Sequence, residues 1–402
     1  MHILQIDVAV NVGSTGRIAE QIGQKVIENQ WASTIAFGRQ QAESQSEKLK
    51  IGNNWEQGYH LLLTRVFDRH GFGSVHGTKD LINKIESLSP DIIHLHQIHG
   101  YYINIQILFE FLARYNKPVI WTLHDCWAYT GHCCYYERVN CYKWQTECNT
   151  CPLTGYYPQS WFMDNSKENY IQKKQLFTQI KDITLVPVSN WLASELSQSF
   201  LKGKDVFPIC NGIDVNKFRY TDPSEIRDKL SLGDKKILLG VASPWSEVKG
   251  LNDFIRLSEI IDDSYKIILV GLSETQKKNL PNRIIGIGRL SNPSELVKYY
   301  SLADVFVNPS IAESFGLVTV EAMACGTPVV GYNVTATPEL IPSGTGYVVD
   351  KGDVHALFQK IKIILENGKN KYSEACRSNV VTNYNKEFQY EKYISLYRDK
   401  LH

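Results

Sequence analysis

Short apolar runs alternate with stretches of helical period along the whole chain. Ile3–Val8 reads as a strand, Val12-Gly13-Ser14-Thr15-Gly16 as a glycine-bearing turn, Arg17–Asn29 as a helix and Thr34–Phe37 as a second strand. Asp91–Leu95, Val119–Leu123 and Thr184–Val188 have strand character, with a helical stretch at Ile103–Tyr115 between the first two. The grammar then starts again. Strands are expected at Ile237–Val241, Lys266–Val270, Val305–Val307 and Pro328–Gly331, and helices at Asn252–Ile261, Ser294–Tyr300 and Gly316–Ala324. Strands that alternate with helices build parallel sheets. The chain is therefore expected to be α/β, with two doubly wound domains at 1–214 and 215–385, joined at the turn-rich Asn211-Gly212-Ile213-Asp214. A last helix, Glu387–Leu401 within 386–402, carries Phe388, Tyr390, Tyr393, Leu396 and Tyr397 and is expected to pack back onto the first domain. Residues 59–67 (Tyr59, Leu61, Leu62, Leu63, Val66 and Phe67, with Arg65) read as core, the alternative being a face that meets a membrane surface.

Composition narrows this only a little. A length of 402 residues suits two domains. The 43 basic and 42 acidic residues lack the basic excess of a nucleic-acid binder. The start, MHILQIDVAV, has no basic region and is interrupted by Asp7, so it reads as a first strand and not a signal peptide. No run of about 18 apolar residues is present to span a bilayer. The expected location is the cytoplasm, peripheral membrane contact being left open.

The candidate chemistry follows strands, which is where doubly wound sheets bind ligands. Residues 313–331 read ESFGLVTVEAMACGTPVVG. Glu313 falls in the loop before a helix and Glu321 one to two turns inside it. Backbone N–H groups near Gly316 would point out of the helix N-terminus, a setting that favours a diphosphate. Glycine there removes a side chain that would block close approach. A carboxylate deeper in the helix can accept from two ribose hydroxyls, and one in the loop can touch a sugar. Two glutamates at this spacing, taken alone, describe an ordinary amphipathic helix.

The full nineteen-residue string resembles the nucleotide-sugar motif of glycosyltransferase family 4, E-x-F-G-x-x-x-x-E-A-M-A-x-G-x-P-V-V, at every fixed position. Ala303–Ser310 resembles that family's strand into the site, and Asn211–Asp214 with Phe218 its interdomain segment. Ser243–Gly250 takes the place of a phosphate-gripping Arg and Lys. The resemblance implies a GT-B fold, two Rossmann-like domains facing across a cleft. It also implies a retaining transfer of sugar from a nucleotide-diphosphate donor to a saccharide acceptor, such as a lipid-linked exopolysaccharide or lipopolysaccharide unit. It carries donor binding onto Lys249, Glu313, Ser314, Phe315, Gly316, Leu317 and Glu321, and catalysis onto Glu313, Lys249 and His124. Lys249 is the charge expected to neutralise the leaving diphosphate. The Arg is missing: Ser243 or Pro244 stands near its position, with Arg17 and Arg289 as candidate substitutes.

On the N-terminal side, Gly13, Ser14 and Gly16 open a helix. They either present N–H groups to a phosphate or an acceptor, or form a plain tight turn. A dinucleotide fingerprint is absent, since Asn11 stands where its first glycine would be. In the resembling family a His at the position of His124 contacts the donor sugar, and Asp125 would orient it; a buried structural role is the alternative. His94, His96 and His99 have strand spacing and read as structural residues on alternating faces, with His99 the one placed to reach the cleft. No Asp-x-Asp occurs, so catalysis is expected to need no divalent ion or other cofactor.

Five of the nine cysteines lie between Cys133 and Cys151. Cys133, Cys141, Cys148 and Cys151 suit a structural tetrahedral zinc; reduced cysteines packing a loop and a disulfide pair are the other readings. Members of the resembling family of the colanic-acid type look similar here, with T-G-x-C, a further Cys, and G-C-x-x-C-P, Glu147 replacing the glycine. Two other functions stay open: a nucleotide-sugar epimerase on the same fold, and a non-catalytic saccharide-binding protein.

Overall fold

Every run of strand character becomes a strand of one of two all-parallel sheets in the computed structural model, which describes residues 1–290 and 292–401. The first sheet holds β1 (His2–Val10), β2 (Ala32–Gln41), β3 (Glu47–Lys50), β4 (Ile92–Leu95), β5 (Val119–Leu123), β6 (Ile183–Pro187) and β7 (Asp205–Val206). Their order is β3-β2-β1-β4-β5-β6-β7. The second holds β8 (Lys236–Val241), β9 (Tyr265–Val270), β10 (Ile284–Ile287), β11 (Val305–Asn308), β12 (Val329–Tyr332) and β13 (Gly346–Val349), in the order β10-β9-β8-β11-β12-β13. The central strands are buried along nearly their whole length, as parallel strands covered by helices on both faces must be. The unpredicted strands β3, β7, β10 and β13 are short and stand at or beside sheet edges, where little hydrophobic pattern is required.

In each sheet the chain builds outward from its first strand, then returns to that strand's other side. The reversal falls between β1 and β4 in one sheet and between β8 and β11 in the other. At such a point the two connections leave in opposite directions and open a crevice at the strands' carboxyl ends. The chain divides into one unit of Met1–Cys210 with the residues from Gln389 on, and a second of Asn211–Phe388. Among the described residues, no helix is long and apolar enough to cross a membrane.

Two expectations need correction. The first helix starts at Gly13 and not Arg17, so the glycine-bearing segment is itself the first helical turn. Residues 59–67 are not core. They belong to the helix Asn54–Phe67, which buries only His60 and Thr64. Trp55, Tyr59, Leu62 and Phe67 stand in solvent, Trp55 at 89 % exposure. The apolar positions and the polar His60 and Thr64 exchange their usual sides: His60 bonds inward, and Thr64 Oγ1 donates to the His60 carbonyl of its own helix at 3.0 Å. His60 Nδ1 meets Ser74 Oγ at 3.0 Å, and Gly71 N donates to His60 Nε2 at 3.0 Å.

The final helix, Lys386–Leu401, buries Tyr390, Tyr393, Leu396 and Tyr397. The Tyr397 hydroxyl shares a 2.6 Å hydrogen bond with His94 Nδ1, and the Tyr393 hydroxyl a 3.0 Å bond with Thr122 Oγ1. These bonds fix the helix against β4 and β5. Tyr397→Phe is expected to lower stability by about 1–3 kcal/mol in urea denaturation, since it strands a buried ring nitrogen. Phe388→Ser, at an exposed position of the same helix, should stay within about 0.5 kcal/mol of wild type.

Candidate functional site

The loops at the carboxyl ends of β8 and β11 carry the family-motif residues to the reversal point of the second sheet. After β8 a single 3-10 turn, Glu247–Lys249, ends in Gly250, and Ile311 N donates to Val248 O at 2.9 Å, tying the two loops together. Lys249 Nζ then lies 2.7 Å from Glu313 Oε1. Glu313 is nearly buried, and its main chain is held on both sides: its N–H donates to Thr335 Oγ1 at 2.9 Å, and its carbonyl accepts from Ala336 N at 3.1 Å. The lysine expected to meet a diphosphate alone is therefore ion-paired with the other expected catalytic residue.

The helix Leu317–Ala324 follows at once. Its N-cap is Gly316 at φ +105°, a conformation side-chain-bearing residues avoid, and a Cβ there would meet Leu340 Cδ1 at 3.2 Å. Backbone geometry thus requires glycine as much as ligand approach does. No side chain caps this helix and no acidic residue sits in its first turn, so its positive end is left for an anion. Glu321 lies in the second turn, and its Oε2 accepts from the Tyr300 hydroxyl at 2.7 Å. Ser314 and Leu317 are half-exposed at the helix entry. Phe315 departs from the expected donor-contact role: its side chain is buried, with its ring 5.7 Å from that of Tyr384. Arg289 stands exposed beyond β10, two strands from β8. Arg17 lies in the other unit and donates to Gly13 O at 2.7 Å. Ser243 and Pro244 are exposed.

The first sheet has its own cluster at its reversal point. Gly13 and Ser14 are exposed at the N-terminus of helix Gly13–Glu28, which has no side-chain cap. Gly16 is buried against β1, where a Cβ would meet Ala9 O at 2.9 Å, so this glycine serves close helix–strand packing. His124 follows β5 and stacks on His96, with ring centroids 5.6 Å apart and a 3.3 Å contact between His96 Nδ1 and its Nε2. Burial pushes its pKa down to about 4, so His124 is neutral near pH 7. The Asp125 carboxylate lies 2.9 Å from His99 Nε2 and accepts from Trp127 N. Burial alone would raise Asp125; the His99 contact outweighs it and holds the carboxyl below its ordinary value. His99 Nδ1 meets the Tyr157 hydroxyl at 3.0 Å. His94 and His96 are structural, as expected, but their rings lie side by side, 4.1 Å apart, not on alternating faces.

Three features escaped the sequence. The Lys249–Glu313 and Tyr300–Glu321 pairs join residues far apart in the chain. Tyr157 belongs to no recognised motif. Asp7, seen only as a break in an apolar run, is fully buried with its Oδ2 unpartnered, and burial lifts its pKa to about 7.

Residues 222–381 match the family described as glycosyl transferases group 1. The second unit is a group 1 glycosyl transferase domain, and the chain is a transferase. It is similar to the Escherichia coli K12 protein WcaC, assigned to colanic acid biosynthesis as a glycosyl transferase, at 24 % identity over 378 residues, 90 % of each chain. Its fold is similar to that of a sucrose-phosphate synthase from Thermosynechococcus elongatus, with TM-score 0.74, 18 % identity and coverage of 99 % and 98 %. It is also similar to Anabaena HepE solved with UDP, with TM-score 0.70, 15 % identity and coverage of 99 % and 100 %. The GT-B fold expected of this glycosyltransferase is thus the one it has.

The buried histidines give a pH prediction. His124 is held at about 4, and His60 and His94 at about 3, all by burial. Unfolded, each takes a proton near its ordinary value of about 6.5. Between those values these histidines bind more protons in the unfolded state, so their contribution to stability falls as pH drops from about 6.5 toward 4, while Asp7, raised to about 7, offsets part of the fall. Thermal melts across this range should show that fall, and His124→Asn should reduce its slope.

Proposed function

We propose that the enzyme transfers a sugar from a nucleotide-diphosphate donor to a saccharide acceptor with retention of configuration and without a divalent ion. The observation that carries this reading is the uncapped N-terminus of helix Leu317–Ala324 beside the Lys249–Glu313 pair at a sheet reversal point. In this reading the diphosphate takes the N–H groups at Gly316 and Leu317, and Lys249 turns from Glu313 toward it. Charge that builds on the leaving phosphate is met by a fixed dipole and one ammonium, with no metal needed. Glu313, released from the lysine, is placed to accept from a sugar hydroxyl, and Glu321 to accept from the ribose. Support for such a donor comes from HepE, a fold neighbour solved with UDP-glucose. The N-terminal unit supplies the acceptor side, with Gly13, Ser14, His124 and the His99–Asp125 pair at its own reversal point.

Nucleoside diphosphates should raise the melting temperature of wild type by linkage, and Lys249→Ala should abolish the shift. Lys249→Ala and Glu313→Gln should each cut transfer by about 10²–10³-fold, the usual scale for losing one charge-stabilising group. Full transfer in both variants would overturn the site, and loss of transfer in EDTA would overturn metal independence. Conversion of the nucleotide sugar to its epimer with no acceptor present and no nucleoside diphosphate released would favour the epimerase reading.

A lipid-linked acceptor is favoured by a second observation. The exposed face of helix Asn54–Phe67 continues into Trp161, Phe162 and Met163, also exposed. The two segments are joined by the Trp161 N to Arg65 O bond at 2.7 Å and the Arg65 Nη1 to Gln159 O bond at 2.9 Å. Aromatic rings on a solvent face suit the interfacial layer of a bilayer. Wild type should co-sediment with phosphatidylglycerol vesicles, and Trp55→Ser with Phe162→Ser should weaken binding by about tenfold while leaving transfer to a soluble acceptor intact. Undiminished vesicle binding by that double variant would contradict the assignment.

A further inference from the structure

The segment after β5 gathers four of the nine cysteines around a cavity of their own. Cys133, Cys141, Cys148 and Cys151 all line one cavity. Cys148 Sγ accepts from Gly131 N at 3.2 Å. All are unpaired thiols. The turn between Cys148 and Cys151 is built, not loose. Thr150 takes a left-handed conformation at φ +45°, and Lys143 Nζ donates to Asn149 O at 2.9 Å and to Thr150 O at 3.2 Å.

A separate observation shows that this cavity wants an occupant. Three of its lining residues, His132, Trp144 and Ser166, are nearly fully buried, and each has a side-chain polar atom with no partner: His132 Nε2, Trp144 Nε1 and Ser166 Oγ. Buried polar groups are ordinarily satisfied. His132 is moreover oriented: its Nδ1 lies 2.6 Å from the buried Asp68 Oδ1, which aims the free nitrogen into the cavity. A carboxylate–imidazole pair presented to a site in this way recurs around protein-bound metals.

We infer that Cys133, Cys141, Cys148 and Cys151 bind one zinc ion through four thiolates, with His132 donating from Nε2 to a coordinated sulfur. Binding Zn²⁺ releases four thiol protons to solvent and leaves the sphere with two negative charges. Part of that charge is met by Lys173, fully buried beside the cluster and held by the carbonyls of Trp127 and Thr130 at 2.8 and 3.1 Å. Among the described residues, the one group whose donor atoms all lie within 4.8 Å of one another is His99, Asp125 and Cys134, so the four sulfurs stand wider than that. The ion would draw them in to Zn–S distances of about 2.3 Å. The His99 group is a poorer site, since both its ring nitrogens are already engaged, by Tyr157 and Asp125.

Full-length protein purified from zinc-supplemented cells should carry one zinc per chain by plasma mass spectrometry. X-ray absorption at the zinc edge should report a four-sulfur shell. Cys148→Ser and Cys141→Ser should each lose more than nine-tenths of the metal. His132→Gln should keep it but release it to a chelator about 10–100-fold more readily, as loss of an outer-shell partner does. Wild type with less than about a tenth of an equivalent, or with an oxygen-rich shell, would overturn the site without relying on any variant's folding. Metal retained by Cys141→Ser and lost by His132→Gln would overturn the four-cysteine ligand set.

Discussion

The carboxyl ends of β8 and β11 set a positive helix end beside a lysine that is already neutralised. Lys249 and Glu313 are 2.7 Å apart and only partly exposed, so neither is an idle surface charge. A pair in this setting rests at modest cost and can be exchanged. On the function proposed above, an arriving diphosphate would offer the lysine more negative charge than one carboxylate does, and the freed carboxylate would become an acceptor for sugar hydroxyls.

That arrangement depends on topology before it depends on any side chain. The reversal of strand order between β8 and β11 is what brings a loop near residue 249 against one near 313. Gly316 then turns the chain into its helix with a backbone conformation other residues resist, leaving the helix end uncapped. The first sheet repeats the scheme between β1 and β4, with Gly16 admitting its helix close to β1. The two units therefore share one structural grammar while carrying different chemistry: carboxylates, a lysine and a helix end in one, a histidine-rich cluster in the other.

Much of this was legible in the sequence, for local reasons. Buried parallel strands such as Val119–Leu123 are short apolar runs, and that one was read to the residue. The donor motif lies within nineteen contiguous residues, so its loop, glycine and helix were visible together. What was hidden was long-range or inverted. Lys249 and Glu313 are 64 positions apart, and nothing local pairs them. Asp125 follows His124 directly, yet its carboxylate bonds His99. Helix Asn54–Phe67 misled because its buried residues are the polar His60, bonded inward to Ser74 and Gly71, and Thr64, bonded to its own helix, which leaves its apolar face in solvent. The burial of Phe315 shows a further limit: a motif marks which residues belong to a site without saying which of them face the ligand.

The central claim is that one helix end and one lysine hold a diphosphate. A crystal structure of the enzyme soaked with a nucleoside diphosphate tests it most directly. The account predicts phosphate oxygens within about 3 Å of the main-chain nitrogens at Gly316 and Leu317, ordinary hydrogen-bond distance, with Lys249 moved off Glu313 and onto the phosphates. Nucleotide bound elsewhere, with the Lys249–Glu313 pair intact and the helix end unoccupied, would contradict it.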